Sequence, residues 1–128
     1  MFIRFIVHEI DSDSGRRQGL FQAAKALRES GRLAADDDTC LMDIREWFNE
    51  NLERPERLAF SSRPNARATA LSWFKDTATE HIAKMREMQG VLEKYGITVE
   101  MITARRLGYI LYEDEYQIAA YPFSDTPT

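Results

Sequence analysis

Apolar and polar residues alternate from Phe2 to Ile10, with Ile3, Phe5 and Val7 on one side and Phe2, Arg4, Ile6 and His8 on the other. A period of two predicts a strand. The polar run Asp11-Ser12-Asp13-Ser14-Gly15 breaks it. From Arg16 to Ser30 the spacing is helical, with Leu20, Phe21, Ala24 and Leu27 in one stripe and Gly31 placed to end the helix in left-handed backbone. A second helix is predicted from Asp38 to Leu52 through Leu41, Ile44 and Phe48, with Asp36, Asp37 and Asp38 where the helix dipole favours negative charge. Glu53 to Asn65 has little apolar pattern and predicts a long loop, functional or mobile. The spacing from Ala66 to Tyr95, through Leu71, Phe74, Ala78, Ile82, Met85 and Leu92, predicts one long helix closed by Gly96.

The last third changes period. Ile97 to Thr103 alternates, Gly108 to Glu113 is rich in aromatic and aliphatic residues, and Tyr116 to Phe123 alternates again. The acidic Glu113-Asp114-Glu115 reads as a hairpin turn. The order is one N-terminal strand, three helices and a three-strand C-terminal meander. That predicts an α+β fold with a mostly antiparallel four-stranded sheet. Residues 1–128 form a single domain in this reading, with a loose tail over 124–128.

Composition narrows the class. With 44% apolar and 30% charged residues the chain suits one globular domain rather than a disordered or fibrous one. No apolar run is long enough for a membrane span, so no membrane partner is expected. A single cysteine, Cys40, excludes an internal disulfide framework and leads us to expect a cytoplasmic protein. Neither metal nor cofactor is expected, since two histidines and one cysteine give no ligand spacing.

Charge carries more information than its total. The net charge is -4, yet residues 16–35 hold five basic and one acidic residue, 36–56 two basic and eight acidic, and 57–67 three basic and none acidic. The plainest interpretation is solvated helix faces that pair with one another. The functional one is an anion or acidic partner held by a basic segment. Arg16 and Arg17, at a predicted helix start after a strand, are candidates for phosphate or carboxylate, and Arg57, Arg63 and Arg67 for a partner surface. Asp11-Ser12-Asp13 does not continue as a calcium loop, because Arg16 and Gln22 stand where glycine and glutamate are needed. Asp76, Glu80 and Lys84 are spaced as an ion-pair ladder on the long helix, which leaves His81 without a catalytic set. Nucleic acid is not an expected partner of an acidic chain with no reader motif.

The stretches Ser14-Gly15-Arg16-Arg17-Gln18-Gly19-Leu20-Phe21 and Ser72-Trp73-Phe74-Lys75-Asp76-Thr77-Ala78-Thr79-Glu80-His81-Ile82-Ala83-Lys84-Met85 resemble a family of small uncharacterised bacterial proteins, and the likeness extends to Tyr112-Glu113-Asp114-Glu115. The resemblance implies no activity and no ligand. With no catalytic constellation legible, a non-enzymatic interaction or regulatory protein is expected, binding a partner through its basic loop. The alternative is an enzyme or sensor for a small phosphorylated or carboxylated ligand. A homodimer is expected because Phe2, Ile6, Tyr109, Leu111 and Tyr121 give the sheet a second apolar face.

Overall fold

The computed structural model describes residues 1–12, 15–54 and 70–128. Its elements run β1 (Phe2–Ile10), β2 (Arg17–Gly19), α1 (Leu20–Glu29), α2 (Ala35–Asn51), β3 (Leu71–Lys75), α3 (Thr79–Lys94), β4 (Glu100–Ala104), β5 (Tyr109–Glu113) and β6 (Gln117–Tyr121). The fold is α+β with three helices among the described residues and an antiparallel sheet, as the sequence predicts. The sheet has six strands rather than four.

Both additional strands lie inside segments that read as helix. Arg17–Gly19 pairs with β1, Ile6 opposite Gly19 and Ile10 opposite Arg17, so the helix expected from Arg16 starts at Leu20. The turn between the two strands is held by the Asp11 amide donating to the Arg16 carbonyl and by Gly15 at φ 70°. Leu71–Lys75 is the other strand, so the long helix expected from Ala66 begins only at Thr79. β3 is inserted between β1 and β6 and is buried on both faces: Leu71 and Trp73 on one, Phe74 on the other. A strand covered on both sides loses its alternation, and its apolar run imitates a helical stripe.

β1 is the organising strand. Ile6 is matched both to Gly19 of β2 and to Glu100 of β4, and Phe2 both to Lys75 of β3 and to Ala104 of β4. A residue has one neighbour on each edge, so β4 occupies one edge of β1 while β2 and β3 share the other, end to end. On that shared edge the ladder runs Phe2 and Ile3 with β3, then resumes at Ile6 with β2. Arg4 and Phe5 fall in the fork, where they are matched to β4 alone.

The helices cover one sheet face. Phe5, Val7 and Phe74 from the strands pack there with Leu20, Leu27, Leu41, Phe48, Met88 and Leu92 from the helices. α3 ends as expected at Gly96, φ 81°, where the Ile97 amide reaches back to the Leu92 carbonyl in a Schellman closure. The opposite face carries a smaller core of Leu71, Trp73, Ala104, Leu107, Ile118 and Ala120. The chain covers this second face itself: Leu107, from the β4–β5 connection, packs onto it, and Thr126 Oγ1 donates to the Leu107 carbonyl. Of the five residues that carry the homodimer expectation, Ile6 and Leu111 are buried within the single chain, Phe2 and Tyr121 are half-buried and Tyr109 is exposed. The segment 124–128, expected to be loose, is tied at Thr126 and at the Thr128 main-chain oxygen, which accepts from Arg17 Nε and Nη2.

Gly108, at φ 127°, leaves no space for a side chain, because a Cβ there would collide with the Tyr121 carbonyl. Gly108→Ala is expected to cost about 3 kcal/mol. Gly96→Ala, equally left-handed but with open space at its Cβ position, is expected to cost about 1 kcal/mol. Urea denaturation of the two variants measures the difference.

Candidate functional site

The fork in the sheet opens a cleft of about 530 Å³ between the strands and the helix layer. Its walls come from β1 (Arg4, Phe5), from the β2–α1 junction (Gly19, Leu20), and from β3 (Leu71 to Phe74). α1, α2 and α3 close it with Ala24, Leu41, Phe48, Met85 and Met88. Arg54 and Ala70, which flank residues 55–69, also lie on the lining. Sequence and packing explain why the space exists. Leu41, Phe48 and Leu52 come to one side of α2 by three-to-four spacing, while Gly19 and Ala24 contribute almost no side-chain volume opposite them. Phe48 is fixed edge-on by Phe21 at 4.9 Å and by Trp47 at 5.1 Å between ring centres.

Charged groups on this cleft are mainly basic: Arg4, Lys25, Arg28, Arg45 and Arg54, against Asp11 and Glu53. Arg28 Nε is paired with Asp38 at 2.8 Å, and Arg54 Nη2 donates to Asn49 Oδ1 at 3.2 Å. Lys25 and Arg45 are exposed and form no ion pair among the described residues. Arg4 is only 9% exposed. Its Nη2 donates to the Arg17 carbonyl at 3.0 Å, and its Nε has no hydrogen-bond partner. Burial lowers its pKa to about 10, with the Asp11 charge opposing that and the Arg17 charge adding to it. A guanidinium stays protonated at neutral pH even so.

The other sequence candidates have different places. Arg17 is committed to structure, through Glu100 Oε2 at 2.8 Å and through Thr128. Neither Arg16 nor Arg17 lines the cleft or stands at a helix start, since β2 intervenes before α1. Arg57, Arg63 and Arg67 lie outside the described residues. His81, 4% exposed, is enclosed by Trp47 and Tyr116 at ring distances of 4.8 and 4.4 Å, and its Nε2 lies 2.8 Å from the Asn51 carbonyl oxygen. That contact pins the end of α2 where the chain turns into the cleft rim. The expected ladder of Asp76, Glu80 and Lys84 does not form, because Asp76 precedes α3 and Lys84 pairs with Glu87. The acidic start of α2 does pair with its neighbours, as the plainer reading of the charge pattern held. Asp37 accepts from Lys94 Nζ and Tyr95 OH, which holds its carboxyl below the ordinary value, while the same Asp37 contact raises Lys94. Sequence reasoning missed Lys25 and Arg45. Their signal was present: Arg45 is the one base of α2 and shares the stripe of Leu41 and Phe48.

The rim below the cleft is tied to the β5–β6 turn. Gln117, on the lining, donates through Nε2 to the Glu53 carbonyl and to Asp114 Oδ2. Asp114 Oδ1 accepts from the Tyr116 and Gln117 amides, and Oδ2 also accepts from Tyr112 OH at 2.8 Å. Burial pushes Asp114 upward, but these bonds from Gln117, Tyr116 and Tyr112 outweigh it and hold its pKa below 3.8. A depressed carboxylate adds stability above its unfolded pKa and loses it as pH falls through the folded value. Asp114→Asn is therefore expected to cost about 1–2 kcal/mol at pH 7. The gap to the parent protein closes as pH is lowered below 3.8, which urea titrations at pH 7, 4 and 2 check.

Among the described residues no group of three His, Cys, Asp or Glu side chains is placed to hold a metal ion, and no helix is long and apolar enough to cross a membrane. Against known proteins, no family model matches the chain, and neither does any curated protein or solved structure.

Proposed function

We propose that this protein is a non-enzymatic binding protein, a sensor or carrier whose small, largely apolar ligand occupies the cleft at the sheet fork. The observation that carries this reading is the cleft itself. Its 530 Å³ falls within the size range of small-molecule sites, and most of its wall surface is apolar, contributed by Phe, Leu, Met and Ala side chains, with polar and charged groups among them. The chemistry of those walls favours binding over catalysis. The described lining includes no histidine, cysteine or tyrosine, its one hydroxyl side chain is Ser72, and of its two carboxylates Asp11 already accepts from Gln22 Nε2. His81 is turned into the aromatic packing instead. This keeps the non-enzymatic role expected from sequence and takes from the alternative its small ligand, at a different place from the arginines first considered.

Ser72 allows a clean test, because it lines the cleft, is exposed, and sits on β3 opposite Ala119 of β6. Ser72→Trp is expected to fill the cleft while thermal unfolding stays within a few degrees of the parent. In the parent, a neutral fluorescent probe such as N-phenyl-1-naphthylamine should bind and brighten; in the variant the enhancement should vanish. A ligand at a hundredfold its Kd should stabilise the parent by about 2.7 kcal/mol. Equal enhancement in both proteins would refute the cleft as the site.

A further inference from the structure

We infer that the ligand of this cleft is an amphipathic carboxylic acid, with its apolar body among the Phe and Leu side chains and its carboxylate engaged by Lys25 and Arg45. The inference rests on the cleft being a binding site and adds what that site selects. α1 and α2 carry three basic residues, Lys25, Arg28 and Arg45, and all three line the cleft. The same helices carry seven acidic residues, Glu29 and six on α2, and none of them lines it. In a chain of net charge -4, this concentrates positive potential at one opening, where it raises the local concentration of anions.

A second feature has the same sign. α1 starts at the cleft wall: Gly19, Leu20, Phe21 and Gln22 all line it. No side chain caps this end, and its first turn holds no acidic residue. The free amides of a first turn favour negative charge. Of the two acids on the lining, Asp11 already accepts from Gln22 Nε2 at 2.9 Å, and Glu53 is followed by the basic Arg54, also on the lining.

The apolar walls decide which anion. A nucleotide or sugar phosphate brings many polar groups, each of which needs a partner when buried. Most of this lining's surface is hydrocarbon, and several of its polar side chains, Asp11, Arg28, Arg54 and Gln117, already bond within the protein. A carboxylate on a hydrocarbon chain or ring leaves its body with the apolar walls and places a single charge at the mouth, where Lys25 and Arg45 are free to meet it. Both side chains are exposed, so replacing them leaves the core untouched.

The test compares decanoate, decanol and adenosine monophosphate by isothermal titration calorimetry. Decanoate is expected to bind about tenfold more tightly than decanol, a difference of about 1.4 kcal/mol. Adenosine monophosphate is expected to give no binding heat. In Lys25→Gln with Arg45→Gln, decanoate should fall to the affinity of decanol, while decanol is unchanged. Decanoate and decanol binding equally to the parent, or a preference that survives the double substitution, would overturn the carboxylate assignment while leaving the cleft as a site. Tight binding of adenosine monophosphate would replace it with a phosphate ligand. If neither decanoate nor decanol bound, the cleft reading would fall as well.

Discussion

A β-strand has two edges, and each stretch of edge accepts one neighbour. β1 is asked to carry three. The solution is to divide one edge, β3 taking the start and β2 the end, with Arg4 and Phe5 between them. Main-chain groups that point into this gap have no ladder partner on that side. β2 can be only three residues long because Gly19 passes directly into α1, and β3 runs with β6 over four matched pairs while only Phe74 and Lys75, at its end, pair with β1. The cleft is the space between strands that diverge, and the helices roof it. Nothing about the site is independent of that fork: α1 starts on it, α2 faces it, and Gln117 and His81 anchor the chain where α2 passes its rim.

The two faces of the sheet solve different problems. The helix side is an ordinary layer of Leu, Met, Phe and Ala. Among the described residues no helix packs on the other side, which Leu107 of the β4–β5 connection and Thr126 of the segment after β6 help to cover. Two strand residues on that side carry buried donors without a partner among the described residues. Trp73 is 1% exposed with its indole Nε1 unpartnered, and Arg4 Nε is in the same condition. Each such donor costs about 1–3 kcal/mol compared with a bonded one. Both residues also line the cleft. These unpartnered donors thus lie beside the fork where the β1 ladder is interrupted, as expected where a fold trades stability for a site.

Much of this architecture was legible in the sequence, and the gaps have a common cause. β1, α2, the α3 end at Gly96 and the Asp114 hairpin all come from local signals: alternation, a three-to-four stripe, a left-handed glycine and an acidic turn. β2 and β3 were lost because their identity depends on strands far away in the chain. Arg17–Gly19 is extended only because β1 is beside it, and Leu71–Lys75 reads as helix because both its faces are buried. The same limitation applied to the site. The basic segments are visible in the sequence, but the helix-start signal there points to Arg16 and Arg17 rather than to Lys25. Pairing across the fold, which spends Arg17 on Glu100 and Thr128, cannot be read from spacing.

The charge pattern shows what such a reading can still recover. α2 looks hostile to anions, with six acids and one base. Helical periodicity sorts them. Leu41, Arg45, Phe48, Asn49 and Leu52 recur at intervals of three and four and lie together on the cleft. Asp36, Asp43, Glu46 and Glu50 fall on the other faces, while Asp37 and Asp38 sit one turn before Leu41, off the cleft lining, where Asp37 meets Lys94 and Tyr95 and Asp38 meets Arg28. Pairs between elements therefore engage Asp37 and Asp38 at the start of α2, while its single base, Arg45, lines the cleft and forms no ion pair among the described residues. Net charge adds over all faces and cancels this arrangement. The electrostatic character of a site belongs to one face, and in α2 that face is positive although the helix as a whole is strongly negative.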